Sequence, residues 1–476
     1  MKENPYRQER EEMKELLKQY QNFKIGRKFD FIEEESFERI IDYYDENDNL
    51  PLALEAANFA VEQYPYSSSL FIKKADILIA SQKYIDALDT LQKAEVLDSN
   101  DINLYILKTD AYLALDSQEK AASLLEEAII VFQGEEKIEL LFELADVYDD
   151  YEEFDKVFNC LKLILEQDPV NEEALYKICF WTDYTGRNEE SIKLHQKIID
   201  DYPYTQLAWF NLGAAYQGLK LYEKSVDAYL YAIAIDEKFD YAYRNLGDAY
   251  LRLRNYKEAI EALQKVLELT MPEEVIYEAI GHCYEKLKNP AQARFHYRKA
   301  VHLNSTDSHL YYKIAGTYMM EGYWENAVKN LNNAMGINRS QPDYHLALAQ
   351  CYLKLNRIKD AVIHFTHFIK ARPRNVKGWK ELIKCLYEAG YYEEALEQVY
   401  NAQKNTNDKP LFVFYKAVVL FALGKSKEAL LHLEQAMLQA PSLIKQFIAL
   451  NPSLLQNTSV VEMISNHKNP ANRKKR

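Results

Sequence analysis

The residues of this 476-residue chain that could do chemistry are ten histidines, five cysteines and a surplus of carboxylates. His364 and His367 stand i,i+3, a spacing that puts two imidazoles on one helix face and could begin a zinc site. Phe365 and Phe368 alternate with them, so a packed or solvated pair is the expectation. Cys160, Cys179, Cys283, Cys351 and Cys385 are odd in number and lack CxxC spacing, the pattern of a reducing compartment. Adjacent acids such as Asp149 and Asp150 lie in a field of like charge with no general-acid partner. A Gly-rich phosphate loop, a GxSxG elbow and an HExxH helix are all missing from the sequence. The expectation is a non-enzyme with no catalytic residue, no cofactor and no metal.

Charge is the stronger signal. The net charge of −15 conceals an asymmetry. Residues 31–170 hold 10 Lys and Arg against 33 Asp and Glu, net −23, and residues 281–476 hold 28 against 15, net +13. The N-terminus is densely charged and lacks a signal-peptide apolar stretch, and no run of 18 apolar residues occurs. A cytoplasmic protein without a membrane span is expected.

The elements that must carry these residues follow from an internal period. Trp209-Phe210-Asn211-Leu212-Gly213-Ala214-Ala215-Tyr216 returns 34 residues later as Tyr243, Leu246, Gly247 and Tyr250, and again as Tyr277, Ile280, Gly281 and Tyr284. Sliding this frame gives twelve repeats, beginning at residues 34, 68, 102, 138, 172, 206, 240, 274, 308, 342, 376 and 410. One step is 36 residues long, with two residues inserted near 132–137. Position 11 is Tyr in eight repeats, position 20 is Ala in nine and position 27 is Ala in eight. Pro65, Pro169, Pro203, Pro373 and Pro441 end five repeats, because proline cannot continue a helix interior. Recurrence of these identities in phase is far beyond random apolar patterning. The chain resembles the tetratricopeptide-repeat family over roughly residues 34–443.

The resemblance implies an all-α, right-handed superhelical solenoid of about twelve helix-turn-helix repeats with capping helices at both ends. Small residues at positions 8, 20 and 27 let helices approach, and large ones at 4, 7, 11 and 24 fill the remaining space. Stacking then buries a continuous core that no repeat makes alone. Three segments are expected: an amphipathic N-terminal helix or cap at 1–33, the array at 34–443, and a C-terminal cap with basic tail at 444–476. Val157 and Ser191 at position 20, Thr182 at 11, and Ile41 and Ile383 at 8 depart from the pattern, so less regular packing is expected there.

In this family the first helix of each repeat lines the concave groove, with positions 2, 5, 9 and 12 facing it. That resemblance makes repeats 1–4 acidic in the groove, with Asp42, Asp45, Asp76, Asp110 and Asp146 among the carboxylates. Repeats 4–7 turn aromatic through Phe142, Tyr176, Phe180, Tyr184, Phe210 and Tyr241, and repeat 11 turns basic through Lys377, Lys380 and Lys384. His282 and His309 fall on groove positions of adjacent repeats, with no third ligand. A cleft lined by one sign of charge attracts segments of the other sign, and exposed aromatics act as interface anchors. The expected function is a scaffold binding other proteins or peptide segments with a basic stretch in the groove.

The two-carboxylate clamp of chaperone-binding members is incomplete, with Phe210 and Ala214 at positions 5 and 9 of repeat 6 and Glu381 where the clamp has a base. Asn211 and Asn245 at position 6 resemble the asparagine-lined groove of O-linked GlcNAc transferase repeats over two units only. Leu411, Phe414, Val418 and Phe421 make the groove of repeat 12 apolar, and the C-terminal segment is expected to fold over them. The alternatives are nucleic-acid binding through the basic C-terminal half and head-to-tail self-assembly through opposite charged ends.

Overall fold

The computed structural model describes residues 5–25 and 31–468. The described residues are helical, without strands. They form two compact bodies, divided between Ala249 and Tyr250.

Each repeat is a helical hairpin. In repeat 6 the pair is Gln206–Gly218 and Tyr222–Ile235, and in repeat 8 it is Glu274–Lys286 and Pro290–Leu303. Side-chain caps start several first helices: Asn171 accepts from the Ala174 amide at 3.0 Å, and Asn375 from the Gly378 amide at 2.8 Å. Between the two helices of all twelve repeats, position 15 adopts the left-handed conformation, with φ between 54° and 82°. Four of these are Gly186, Gly322, Gly390 and Gly424, and the others include Gln82, Lys220 and Lys288. In every repeat but the fifth the next amide reaches back to the carbonyl of position 11, as from Leu221 to Tyr216 and from Asn289 to Tyr284, both 2.9 Å. That is a Schellman closure, which satisfies carbonyls the helix end leaves open.

Packing within the hairpin trades size between positions 8 and 24. A Cβ on Gly213 would lie 2.6 Å from the Tyr229 ring, and one on Gly281 would lie 2.6 Å from the Tyr297 ring. Both tyrosines are fully buried over those glycines. Repeat 1 reverses the sizes, with Ile41 at position 8 and Ala57 at 24 in one buried cluster. The departures at 41 and 383 are therefore accommodated, and Val157 is buried as well.

Repeat 5 is irregular. Its first helix, Glu172–Thr185, packs mainly on Phe154–Gln167 and Gln206–Gly218, and touches its own partner, Asn188–Asp201, little. A polar seam lies there. His195, fully buried, meets the Ser191 carbonyl at 2.8 Å and Asn211 at 3.2 Å. The two inserted residues before repeat 4 are absorbed by lengthening its first helix to Gly134–Asp150, 17 residues.

In the first body, the N-terminal helix Pro5–Lys24 lays Tyr20 edge-on against Phe37 and Phe59, with ring centroids 6.3 and 6.4 Å apart. Lys24 pairs with Glu55 at 2.6 Å. In the second body, Ile444–Leu450 packs on the first helix of repeat 12, Pro410–Ala422, and a further helix, Thr458–Lys468, follows. The basic end of the tail, residues 469–476, lies outside the described residues.

Candidate protein-binding wall

In the first body, the first helices of repeats 1–4 (Glu34–Glu46, Ser68–Ala80, Ile102–Ala114 and Gly134–Asp150) pack side by side. Position 9 is aspartate in all four, giving Asp42, Asp76, Asp110 and Asp146 in a row. Every Cβ at that position leaves its helix in the same direction, so the carboxylates form one ladder.

The ends of the ladder are neutralised by position 6 of the following repeat. Lys73 pairs with Asp42. Lys177 lies 3.7 Å from Asp146 and 2.9 Å from Glu173, with its ammonium 5.1 Å over the Phe142 ring. The middle has no such partner, because position 6 is Leu107 in repeat 3 and Glu143 in repeat 4. Solvent reaches the tip of Asp76, yet the surrounding protein and then Asp45, Asp110 and Asp42 push its pKa up, against the pull of Lys73. Asp110 is exposed too, and the protein packed around it raises its pKa by partial desolvation. Glu143 is raised by burial and then by Asp110, Asp146 and Glu139. Asp149 is raised by burial and then by Asp150 and Asp146. These carboxylates feel one another across repeats, which makes the ladder a single electrostatic feature.

Beyond Asp146 the ladder position becomes Phe180, exposed at 60%, with Tyr176 at 67% and Tyr184 at 59% on the same helix. Phe180 and Tyr184 stack at 6.0 Å, Phe180 meets Trp181 at 4.9 Å, and Phe154 joins Trp181 and Tyr184 at 5.2 and 4.7 Å. Sequence reasoning missed Phe154 and Trp181. Both adjoin the hairpin turns of repeats 4 and 5, where ring partners across the turn could have been looked for. Phe142 is half-buried under Lys177.

Phe210 stands apart from this cluster in its contacts. It is half-buried, 5.7 Å from Tyr229 and 5.1 Å from Phe239, and Tyr241 is 6.4 Å beyond Phe239 and exposed at 52%. Asn211 is no wall residue. It is buried and donates to the Leu175 carbonyl at 2.7 Å, because the irregular repeat 5 opens a polar gap that it fills.

In the second body the basic patch is largely engaged by the chain itself. Lys380 donates to Gln446 at 3.0 Å, Lys384 faces Glu388 at 3.6 Å, and Arg372 forks onto Asp343 at 3.0 and 3.1 Å. Lys377 is exposed. Phe447 is fully buried 6.2 Å from Phe414, and Asn451 donates to the Tyr387 hydroxyl at 2.8 Å, so the C-terminal segment covers the apolar face of repeat 12.

His282 and His309 line one hollow of about 430 Å³ together with Lys313. His364 meets not only the neighbourhood of His367 but His345, at 2.9 Å between Nδ1 atoms. Burial and then the two neighbouring imidazoles lower its pKa to about 4. Among the described residues, no group of three His, Cys, Asp or Glu is arranged to hold a metal ion. The five thiols are free. Burial raises Cys160, Cys179, Cys283 and Cys351 to about 12 and Cys385 to about 11, which leaves them protonated and inert. No described helix is long and apolar enough to cross a membrane.

Family models described as tetratricopeptide repeat match residues 207–239, 240–271 and 346–410. A model described as anaphase-promoting complex, cyclosome, subunit 3 matches residues 291–368. Among solved structures, YrrB, described as a tetratricopeptide-repeat protein with an unusual peptide-binding site, is 20% identical, covering 39% of this chain and 95% of its own at a TM-score of 0.35. MamA is 18% identical, covering 36% and 94% at a TM-score of 0.34. The Cut9–Hcn1 hetero-tetramer of the anaphase-promoting complex is 11% identical, covering 82% of this chain and 97% of the matched chain at 0.34.

Proposed function

We propose that this chain, which carries tetratricopeptide repeats, is a protein-interaction scaffold that holds its partner by a segment with a basic stretch laid along the first helices of repeats 1–5. Basic side chains of the partner meet the ladder, and an apolar residue beside them rests on the exposed rings of Tyr176, Phe180 and Tyr184. The observation that carries this reading is the unneutralised middle of the ladder. Burial raises the pKa values of Asp76, Asp110 and Glu143, and neighbouring carboxylates raise Asp76 and Glu143 further, a field that a lysine would relieve. Aromatic rings flanking such a row supply the apolar anchor that charge alone lacks. The engaged state of Lys380, Lys384 and Arg372 makes the basic patch a weaker candidate for nucleic acid.

The test is quantitative capture of partners from native lysate by the wild-type chain, by Asp76→Asn with Asp110→Asn, and by Tyr176→Ser with Phe180→Ser. These side chains are exposed, so the variants keep their helical circular dichroism. One set of proteins should be recovered by the wild type and lost with both variants. Equal recovery by all three rejects the wall as the binding surface.

A further inference from the structure

A second surface lies away from the row of first-helix carboxylates, where the second helix of repeat 5, Asn188–Asp201, meets the hairpin of repeat 6. A cleft of about 490 Å³ opens there, within the usual span of ligand sites of about 300–1,000 Å³. Its floor is apolar, from Ile199, Leu212 and Ala228. One wall is the stacked pair Trp209 and Tyr231, 4.4 Å between centroids and 23° apart in plane. The other side carries the ring of Tyr216. The polar groups of two of these rings are already satisfied: the Trp209 indole N–H donates to the Pro203 carbonyl at 2.8 Å, and the Tyr216 hydroxyl accepts from Gln196 at 2.9 Å. The cleft therefore offers ring surface. Tyr231 is 57% exposed, and Tyr202 and Tyr204 beside Pro203 are exposed too.

Two carboxylates stand at this cleft, Asp200 from repeat 5 and Asp227 from repeat 6. Both are exposed, and neither is paired with a cation of the chain. The ring of Tyr216 already draws a cation, with the Lys224 ammonium 5.5 Å from its centroid. The same contact recurs as Lys120 over Tyr112 and Lys156 over Tyr148, so it belongs to the architecture of the repeat. What the cleft of repeats 5 and 6 adds is a stacked aromatic wall and two free anionic groups on opposite helices.

We propose that this cleft is a second docking site, which takes one cationic side chain, arginine or lysine, from a partner protein. The aliphatic stem lies across Trp209 and Tyr231, as such stems commonly cover apolar surface. The charged head lies between Asp200 and Asp227, next to ring faces that favour a cation. Charge complementarity favours this occupant: the lining holds two carboxylates against the single ammonium of Lys224, so a cationic head is attracted and an acidic one repelled.

The experiment uses the full chain labelled with nitrogen-15 at tryptophan, whose four indole signals are assigned by single substitution. The probes are the N-acetyl amides of arginine, lysine and norleucine. The Trp209 signal should shift saturably with arginine or lysine amide and stay fixed with norleucine amide, and the relative affinity of the two cations says which side chain the site prefers. Asp200→Asn with Asp227→Asn should weaken binding about tenfold, the size expected for two exposed ion pairs. High salt on the wild-type protein should remove the shift without any substitution. A Trp209 signal that does not move, that moves alike with norleucine amide, or that is indifferent to both salt and the double substitution overturns the proposal.

Discussion

His195 shows most plainly how a single residue reports its surroundings. The helix of repeat 5 buries it completely, and burial lowers its pKa from 6.5 to about 4. Between those values the unfolded chain binds a proton that the folded chain refuses. Stability from this residue is therefore complete above pH about 6.5 and lost as the pH falls toward 4, by on the order of 3 kcal/mol in all. The raised carboxylates Asp76, Asp110 and Glu143 act in the opposite sense, since the folded chain takes their protons first. The two effects separate in a difference measurement. The unfolding free energy of the wild type minus that of His195→Leu should fall by on the order of 3 kcal/mol on acidification from neutral pH to about pH 4. A constant difference would show that His195 is not held neutral by the fold.

At the scale of the element, the hairpin turn is the feature all twelve repeats share. Position 15 is left-handed in each, and only four of the twelve residues there are glycine. A side chain in that conformation costs roughly 1 kcal/mol, which glycine avoids. Lys220→Gly and Lys288→Gly should each stabilise the protein by about 0.5–1 kcal/mol in denaturant titrations, after allowance for the looser unfolded chain. Destabilisation by either change would mean that the lysine side chain contributes more than its backbone strain removes. The same turn explains why repeat 5 can loosen its hairpin and keep its register: Gly186 holds the φ of 71° while Ser191, His195 and Asn211 spread the packing beyond it.

At the scale of the molecule, charge is segregated along the chain, net −23 over residues 31–170 and net +13 over residues 281–476. The acidic row and the aromatic cluster should contribute to partner binding in separable ways. Affinity should fall as salt rises from about 0.05 to about 0.5 M, because exposed charges are screened over that range. Asp76→Asn with Asp110→Asn should flatten the salt dependence, and Phe180→Ser should lower affinity at every salt concentration and leave the slope unchanged. Titration of each variant against a captured partner measures both. A slope that survives removal of the aspartates places the electrostatic contact elsewhere.

The sequence by itself determined the repeat and its period. Identities at positions 8, 11, 20 and 27 recur because neighbouring helices meet at them, and that constraint is local to each hairpin. It also put Asp42, Asp76, Asp110 and Asp146 in phase, since residues 34 or 36 apart occupy equivalent places on successive helices. Which of those acids is neutralised was decided only by tertiary structure, through Lys73 and Lys177 reaching back from the next repeat. The same holds for Asn211, which the family resemblance set beside the groove at position 6 and which packing buried against Leu175 and His195. It holds for Lys380, whose amide partner Gln446 is 66 residues away. Periodicity fixes where a side chain starts and which way it leaves its helix. What meets it there depends on segments outside the period, and those are placed by the whole core.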